Sequence, residues 1–333
     1  MTTSRQWHLS RRPEGWPVPD DVALVDVELP ELRDGELLVE NHYLSVDPYM
    51  RGRMSAAKSY AASYQVGAPM YGGAVGRVVR SRDPRVAEGT HVRHGLGWRT
   101  HSVVPGRTAE VVDPGAAPLS TYLGVLGMPG LTAWVGLFDI GEVRPGETVW
   151  VSAAGGAVGS LVGQLAKRAG CRVVGSAGGA EKVRHVVEHY GFDACVDHRD
   201  GDLEGQLRRV APEGVDVYFD NVGADHLRAA LAVANPFARL VECGMIAGYN
   251  EPQPGPDNLF HVVAKKLTVR GFIVSDHAHR QAAFVRHVAP LVRSGEVRYD
   301  ETVVRGVEGM FDAFLDLLRG GRHTGKLVVD VRP

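Results

Sequence analysis

Cysteine is scarce in this chain of 333 residues: only Cys171, Cys195 and Cys243, far apart and without a Cys-x-x-Cys pair. That excludes a disulfide framework and a cysteine-built zinc site, and it fits a reduced, cytoplasmic setting. Long apolar runs are also missing, since none approaches the roughly 20 residues that span a bilayer. Residues 1–20 are polar, with Trp7, Trp16 and three prolines, and lack the apolar stretch of a secretory leader. Neither sign of charge dominates: 37 Lys and Arg stand against 39 Asp and Glu, for a formal net charge of −2. Nucleic acid and anionic membranes therefore drop out as expected partners. There is no internal repeat or low-complexity tract, and the proline-rich run from Glu251 to Pro256 reads as a loop rather than a linker.

What the chain does have is length for more than one core, and 41 glycines that punctuate it. Residues 21–112 read as short strands between Gly and Pro turns: Val22–Glu28, Glu36–Leu44, Ala74–Arg80, His91–His94 and Ser102–Val104. From Pro129 the period changes, and strand-like runs alternate with helix-like ones. Thr148–Val151, Arg172–Gly175, Ala194–Val196, Val215–Phe219, Arg239–Cys243 and Thr268–Phe272 are the six strands. Six apolar strands with helices between them predict a doubly wound parallel sheet, so the fold class is α/β with a β-rich partner domain. After a helix near Gln281–Arg293, a tail of mixed period ends in a last strand, Lys326–Asp330, that need not belong to the nucleotide domain.

Between the first of these strands and its helix lies Ser152-Ala153-Ala154-Gly155-Gly156-Ala157-Val158-Gly159. Glycines there let backbone approach a pyrophosphate, and the first turn of the following helix turns N–H groups and its dipole toward the negative charge. An NAD-binding fold places an Asp or Glu at the end of the second strand to hold the ribose hydroxyls. Here that strand ends Gly175-Ser176-Ala177-Gly178-Gly179, with no carboxylate, and Lys182 opens the next helix. A cation without the acid suits a 2′-phosphate, which predicts NADP(H) rather than NAD, although a solvated surface lysine is the plainer alternative. Two later strands end in loops aimed at the same crevice: Asp220-Asn221-Val222-Gly223, and Cys243-Gly244-Met245-Ile246-Ala247-Gly248-Tyr249-Asn250. Asn221 could bond a ribose or carboxamide or simply make a turn, and Tyr249 is either a site residue or a partial core plug.

These strings, with Gly127-Met128-Pro129-Gly130-Leu131-Thr132-Ala133-Trp134, resemble the medium-chain dehydrogenase/reductase superfamily. Ser45-Val46-Asp47-Pro48-Tyr49-Met50-Arg51 is similar to its zinc-independent branch of prostaglandin reductases, leukotriene B4 12-hydroxydehydrogenases and alkenal double-bond reductases. The resemblance runs from about Asn41 to Val329. It implies a GroES-like β-rich domain over residues 1–123, a Rossmann domain with a six-stranded parallel sheet over 124–293, and a segment, 294–333, returning to the first. It also implies NADPH-dependent reduction of the C=C bond of α,β-unsaturated aldehydes and ketones by a homodimer. By motif, the Gly155, Gly156, Ala157, Val158 and Gly159 turn would contact the pyrophosphate, with Ser176 and Lys182 at the adenosine ribose and its 2′-phosphate. Asn221, Cys243, Gly244, Met245, Ile246 and Tyr249 would flank the nicotinamide, and Phe272-Ile273-Val274 would line it through backbone groups. His198 stands where the family often has a phosphate-binding tyrosine. His323 replaces the Asn of an Asn-x-Gly-Lys that here ends in Gly325-Lys326; either histidine can still donate a hydrogen bond.

Zinc alcohol dehydrogenases of the same superfamily carry a Gly-His-Glu where this chain has Tyr71-Gly72-Gly73, and an early cysteine that it lacks. His91, His94 and His101 come nearest to ligand spacing and are expected to be exposed strand positions. Without a Lewis acid, conjugate reduction is the manageable chemistry: hydride adds to the β-carbon and hydrogen-bond donors stabilise the enolate oxygen. Tyr249, Tyr49 and the nicotinamide ribose hydroxyl that Tyr249 would orient are the candidate donors, each tyrosine protonated at neutral pH by the ordinary pKa of about 10. Tyr49 packed beneath its turn is the equal alternative, and Met54–Pro69, with Tyr60 and Tyr64, is a candidate pocket cover. A quinone reductase or a non-catalytic dinucleotide-binding protein are the competing readings of the same fold.

Overall fold

Short alternating strands open the chain. In the computed structural model, which describes residues 2–321 and 323–332, β1 (Thr3–Leu9) and β2 (Val22–Glu28) pair antiparallel. β3 (Glu36–Ser45), β4 (Ala74–Ser81), β5 (His91–His94), β6 (His101–Pro105) and β7 (Glu110–Val111) follow. β1 escapes a reading by apolar alternation because two of its inward positions are polar. Ser4 and Gln6 are buried, and the Ser4 hydroxyl donates to His101 O at 2.7 Å.

Strands and helices then alternate through β8 (Thr148–Val151), β9 (Arg172–Ala177), β10 (Ala194–Asp197), β11 (Val215–Asp220), β12 (Ala234–Glu242) and β13 (Thr268–Gly271). These six form one sheet in the order β10-β9-β8-β11-β12-β13, with every pairing parallel. That is the 3-2-1-4-5-6 order of a dinucleotide fold, and it reverses between β8 and β11. On one face Trp150, Val174, Tyr218 and Leu240 pack with Leu207 and Ala229–Leu231. Trp150 stacks on Tyr218 with centroids 4.2 Å apart, a contact worth about 1 kcal/mol beyond the area it buries.

The chain ends with β14 (Glu301–Arg305), the helix Met310–Leu318 and β15 (Lys326–Asp330). β15 pairs antiparallel with β3, giving a second sheet in the order β14-β15-β3-β4-β5-β7, with β6 also on β3. The helix seats Phe311 and Phe314 against Trp7 and Trp98.

The structure thus divides into residues 1–124 with 301–333, and residues 125–300. Residues 294–300, expected to leave with the tail, stay with the parallel sheet's unit. The reason is local bonding: the Gln164 amide exchanges hydrogen bonds with the Arg298 backbone at 2.7 and 2.8 Å, and Asp300 accepts from Tyr190 at 2.6 Å. No described helix is long and apolar enough to cross a membrane.

Two expectations in the first unit are corrected. His94 is buried rather than exposed, its Nε2 2.9 Å from Asn41 Oδ1 and its Nδ1 accepting from Leu96 N, and burial pushes its pKa down to about 3. Tyr64 is fully buried and donates to Tyr71 O at 2.7 Å, while Arg12 clamps Met54 O, Ser55 O and Tyr64 O. Met54 and Tyr64 within the Met54–Pro69 stretch are therefore core structure, while the residues around Tyr60, 66% exposed, and Val66, 52% exposed, stand out from it.

Candidate dinucleotide site

The switch between β8 and β11 brings two loops together. Ser152, fully buried, donates through its hydroxyl to Asp220 Oδ1 at 3.1 Å and accepts from Asn221 N at 2.8 Å. The Asn221 side-chain amide donates to Ser152 O at 2.8 Å, so this residue ties the loops to each other. Beyond Ser152 the helix Gly159–Arg168 begins with no side-chain cap on its first turn. A Cβ on Gly159 would lie 2.4 Å from Ala153 O, so only glycine lets the helix sit this close to the turn. A Cβ on Gly155 would lie 3.8 Å from Val186, and one on Gly156 3.3 Å from Ala153 O. An uncapped ten-residue helix behind a glycine turn suits a pyrophosphate.

At the end of β9 the place of the missing acid is taken by basic residues, Lys182 and Arg199, and by His198. His198 follows β10; its Nδ1 is 2.9 Å from Ala177 O and so carries the proton donated to that carbonyl. Burial lowers its pKa, and the positive charges of Arg199 and Lys182 act on it in the same direction. The His198 ring and the Arg199 guanidinium both lie within 3 Å of where Gly178 would carry a Cβ. Asp197 fixes the corner by accepting from Gly179 N and Arg199 N, each at 3.0 Å. His198 and Arg199 thus lie against the Gly178 backbone, with the Lys182 charge acting on His198, an arrangement that fits a 2′-phosphate. Sequence reading missed Arg199, although it directly follows His198. Ser176 belongs elsewhere: it is fully buried beneath the turn and its hydroxyl accepts from Trp150 Nε1 at 3.3 Å, so its side chain faces the core rather than a ligand.

At the ends of β11 and β12 the polar groups are buried. Asp220 Oδ1 accepts from Ser152, from the Tyr218 hydroxyl at 2.8 Å, and from Val222 N and Gly223 N at 2.7 and 2.9 Å. Asp220 is in register with Glu242 on β12. Burial and mutual repulsion push the Glu242 carboxyl up, and burial raises Asp220 as well, so the pair holds a proton that two separate carboxylates would not. This pair also went unread; carboxylates at matching ends of adjacent strands were the available signal.

From there the second loop closes on the first. Cys243 N and Gly244 N donate to Asp220 O, Ile246 N to Asn221 O and Ala247 N to Val222 O, at 2.9–3.3 Å. The Cys243 thiol is pushed up to about 12 by burial, so it is a neutral packing group. Met245, 46% exposed, packs on Gly223, and Tyr249 folds back so that its hydroxyl lies 3.3 Å from where Gly244 would carry a Cβ. Phe272 packs on Gly136, and the half-buried Ile273 and Val274 follow it past the end of β13.

The remaining sequence candidates lie in the other unit. Tyr49 is half-buried; burial and then Asp47 raise its pKa, and the Arg53 guanidinium stacks on its ring and on Tyr71 at 5.1 and 5.0 Å. Its turn is held from below by a buried ion pair, Lys326 Nζ to Asp47 Oδ1 at 3.1 Å, with Lys326 also donating to Val46 O at 2.6 Å. His323 Nδ1 lies 3.5 Å from Asp316, and Gly325 takes a positive φ of 66° just before Lys326.

Comparison with known proteins places the chain among oxidoreductases. Residues 5–112 match a family model described as the N-terminal domain of oxidoreductase, and residues 157–289 match one described as zinc-binding dehydrogenase. The NADPH-dependent curcumin reductase of Escherichia coli (strain K12) is 42% identical over 98% of this chain and 97% of its own. The NADP(+)-dependent 2-alkenal reductase of Nicotiana tabacum is 40% identical over 99% and 98%. The crystal structure of CurA from Vibrio vulnificus in complex with NADPH matches at a TM-score of 0.93 and 39% identity, covering 99% of each chain.

Proposed function

The chain belongs to the zinc-independent medium-chain dehydrogenase/reductases, the branch of alkenal and prostaglandin reductases, and from that premise we propose that it is an NADP-dependent oxidoreductase that reduces the C=C bond of α,β-unsaturated aldehydes and ketones. The observation that carries this reading is the loop of Tyr249, zipped to the Asn221 loop at the strand ends and set in a chain some 40% identical, end to end, to reductases named for curcumin and 2-alkenals. NADPH supplies the hydride that adds to the substrate's β-carbon.

The protein's part is to bind and to polarise. The uncapped helix turn and Gly155–Gly159 hold the pyrophosphate, and Lys182, Arg199 and His198 take the 2′-phosphate. Tyr249 orients the nicotinamide end and donates toward the oxygen on which negative charge develops. The α-carbon proton comes from a tyrosine hydroxyl or from water. Tyr49, its hydroxyl kept protonated by burial, is the second donor.

Two further parts complete the proposal. β13 ends its sheet with all four residues exposed, next to Phe237, Phe260 and Val263 at 69–77% exposure, and this open apolar edge suits a second copy of the chain in a homodimer. Three unpaired cysteines suit the cytoplasm.

Following absorbance loss at the reduced nicotinamide band tests the function, with NADPH or NADH and a 2-alkenal, an arylbutenone, a saturated aldehyde or a quinone. Turnover of the alkenal and arylbutenone with NADPH supports it. Turnover of the saturated aldehyde alone, or of the quinone alone, overturns it, and equal use of NADH removes the roles of Lys182 and Arg199.

A further inference from the structure

The helix Ala180–Glu188 carries a feature that cofactor binding leaves unused. His185, and His189 at its C-terminal end, are four residues apart and so share one face. Their rings stack with centroids 4.6 Å apart and 21° between planes. Asp300, the last residue of the same unit, reaches both: its Oδ2 is 2.5 Å from His185 Nε2, and its Oδ1 is 3.5 Å from His189 Nε2. Ligand atoms of the three residues all lie within 4.8 Å of one another. The side chains are 27–34% exposed, open enough for an ion and its waters.

We propose that His185, His189 and Asp300 form a binding site for a transition-metal ion of the Zn²⁺ class. A plain ion pair needs one imidazole for one carboxylate. Here two imidazoles turn the same nitrogen toward the two oxygens of one carboxylate. A neutral ring offers a lone pair, and two imidazole nitrogens with a carboxylate oxygen form a donor set that suits Zn²⁺, Ni²⁺ or Cu²⁺ and does not suit Mg²⁺. Metal–ligand bonds of about 2.0–2.2 Å put neighbouring donor atoms roughly 3.3 Å apart. The His185–Asp300 contact therefore lengthens by a little under about 1 Å as the neutral ring shifts its proton from Nε2 to Nδ1 and the ion takes its place, and the His189 ring and the carboxylate close up around the same ion. The Tyr190 hydroxyl, donating to Asp300 Oδ2 at 2.6 Å, is the outer partner that orients the carboxylate, and it helps hold the Asp300 pKa down despite partial burial. The ion cross-links the helix Ala180–Glu188 to the segment that ends at Asp300. Nothing in this site depends on the reaction catalysed.

Chelator-treated, dialysed protein titrated with Zn²⁺ by calorimetry, and with Co²⁺ by visible absorption, tests the site. One equivalent is expected to bind ahead of any weaker binding by the remaining histidines, with Tm raised about 5 °C at a hundredfold excess over Kd. His185→Gln, His189→Gln and Asp300→Asn are each expected to weaken that equivalent more than tenfold, and Tyr190→Phe roughly tenfold; Mg²⁺ is expected to leave Tm unchanged. NADPH binding by metal-free His189→Gln, followed by nucleotide fluorescence, reports that the variant is folded. Unchanged zinc affinity in the His185→Gln/His189→Gln double variant, or no Tm response of the parent protein to excess Zn²⁺, overturns the proposal.

Discussion

At the ends of β9 and β10, Arg199 and His198 lie against glycine backbone near the charge of Lys182; at the ends of β11 and β12, two carboxyl groups lie among buried donors. The first arrangement is a set of separate charges, each on its own flexible side chain. The second is a network in which one oxygen of Asp220 holds the Ser152 hydroxyl, the Tyr218 hydroxyl and two backbone amides. Charges at a solvent-facing corner act nearly independently, so losing one changes which ligand binds and leaves the fold alone. A shared buried acceptor couples everything bonded to it, so losing it strands several donors at once. One sheet thus carries a modular end, where cofactor choice resides, and a cooperative end, where loop geometry resides.

Five substitutions break or sharpen that contrast. The largest effect belongs to Asp220→Ala, which strips four donors of their acceptor; a loss of about 3–4 kcal/mol is expected in denaturant unfolding. Retention of parental stability would remove the network from the account. Next comes Tyr249→Phe, expected to lower kcat roughly a hundredfold while KM for NADPH changes by no more than about twofold. A rise in KM alone would make this residue a binding group only. Lys182→Ala and Arg199→Ala are each expected to raise KM for NADPH about tenfold, by loss of a charge-assisted contact, with KM for NADH and Tm unchanged. If either lowered Tm as much as Asp220→Ala, the modular description of that corner would fail.

The smallest effect is a slope. The Asp220–Glu242 pair has its folded pKa raised, with Glu242 pushed up to about 8 from an ordinary 4.5 by burial and by Asp220. A raised acid stabilises the fold below its unfolded pKa, and that contribution is lost as pH rises through the folded value. Unfolding free energy is expected to decline between about pH 5 and 8, and Glu242→Gln, which keeps a neutral side chain there, is expected to flatten the decline. An identical slope in the variant would assign the decline to other groups.

Legibility in the sequence followed the range of the interactions. Strands such as Val22–Glu28, His91–His94 and Thr148–Val151 were visible to the residue because apolar period and Gly or Pro punctuation are local signals. β1 was not, because Ser4 and Gln6 face inward and satisfy their polar groups on neighbouring strands. His94 read as a surface residue because nothing near it in sequence announces Asn41, 53 positions earlier, as its buried partner. Arg199 and Glu242 sat beside residues already singled out, His198 and Cys243. What hid them was register: only strand pairing shows that the Arg199 side chain meets Gly178 and that Glu242 meets Asp220.

By itself, then, the sequence determined a β-rich stretch, a run of parallel strands with its glycine turn, the missing acid after Val174 and the lysine that follows it. Each of these is set by residues within one turn or strand of one another, where backbone period and glycine freedom decide the outcome. The tertiary structure alone decided which polar groups share a partner. Lys326 lies under the turn of Tyr49, 279 positions from Asp47, because β15 pairs with β3. Asp300 meets His185 and His189 because the chain stays with the parallel sheet's unit for seven residues longer than the resemblance implies. Buried charges and shared protons depend on which chain segment excludes water from which, and no local pattern encodes that.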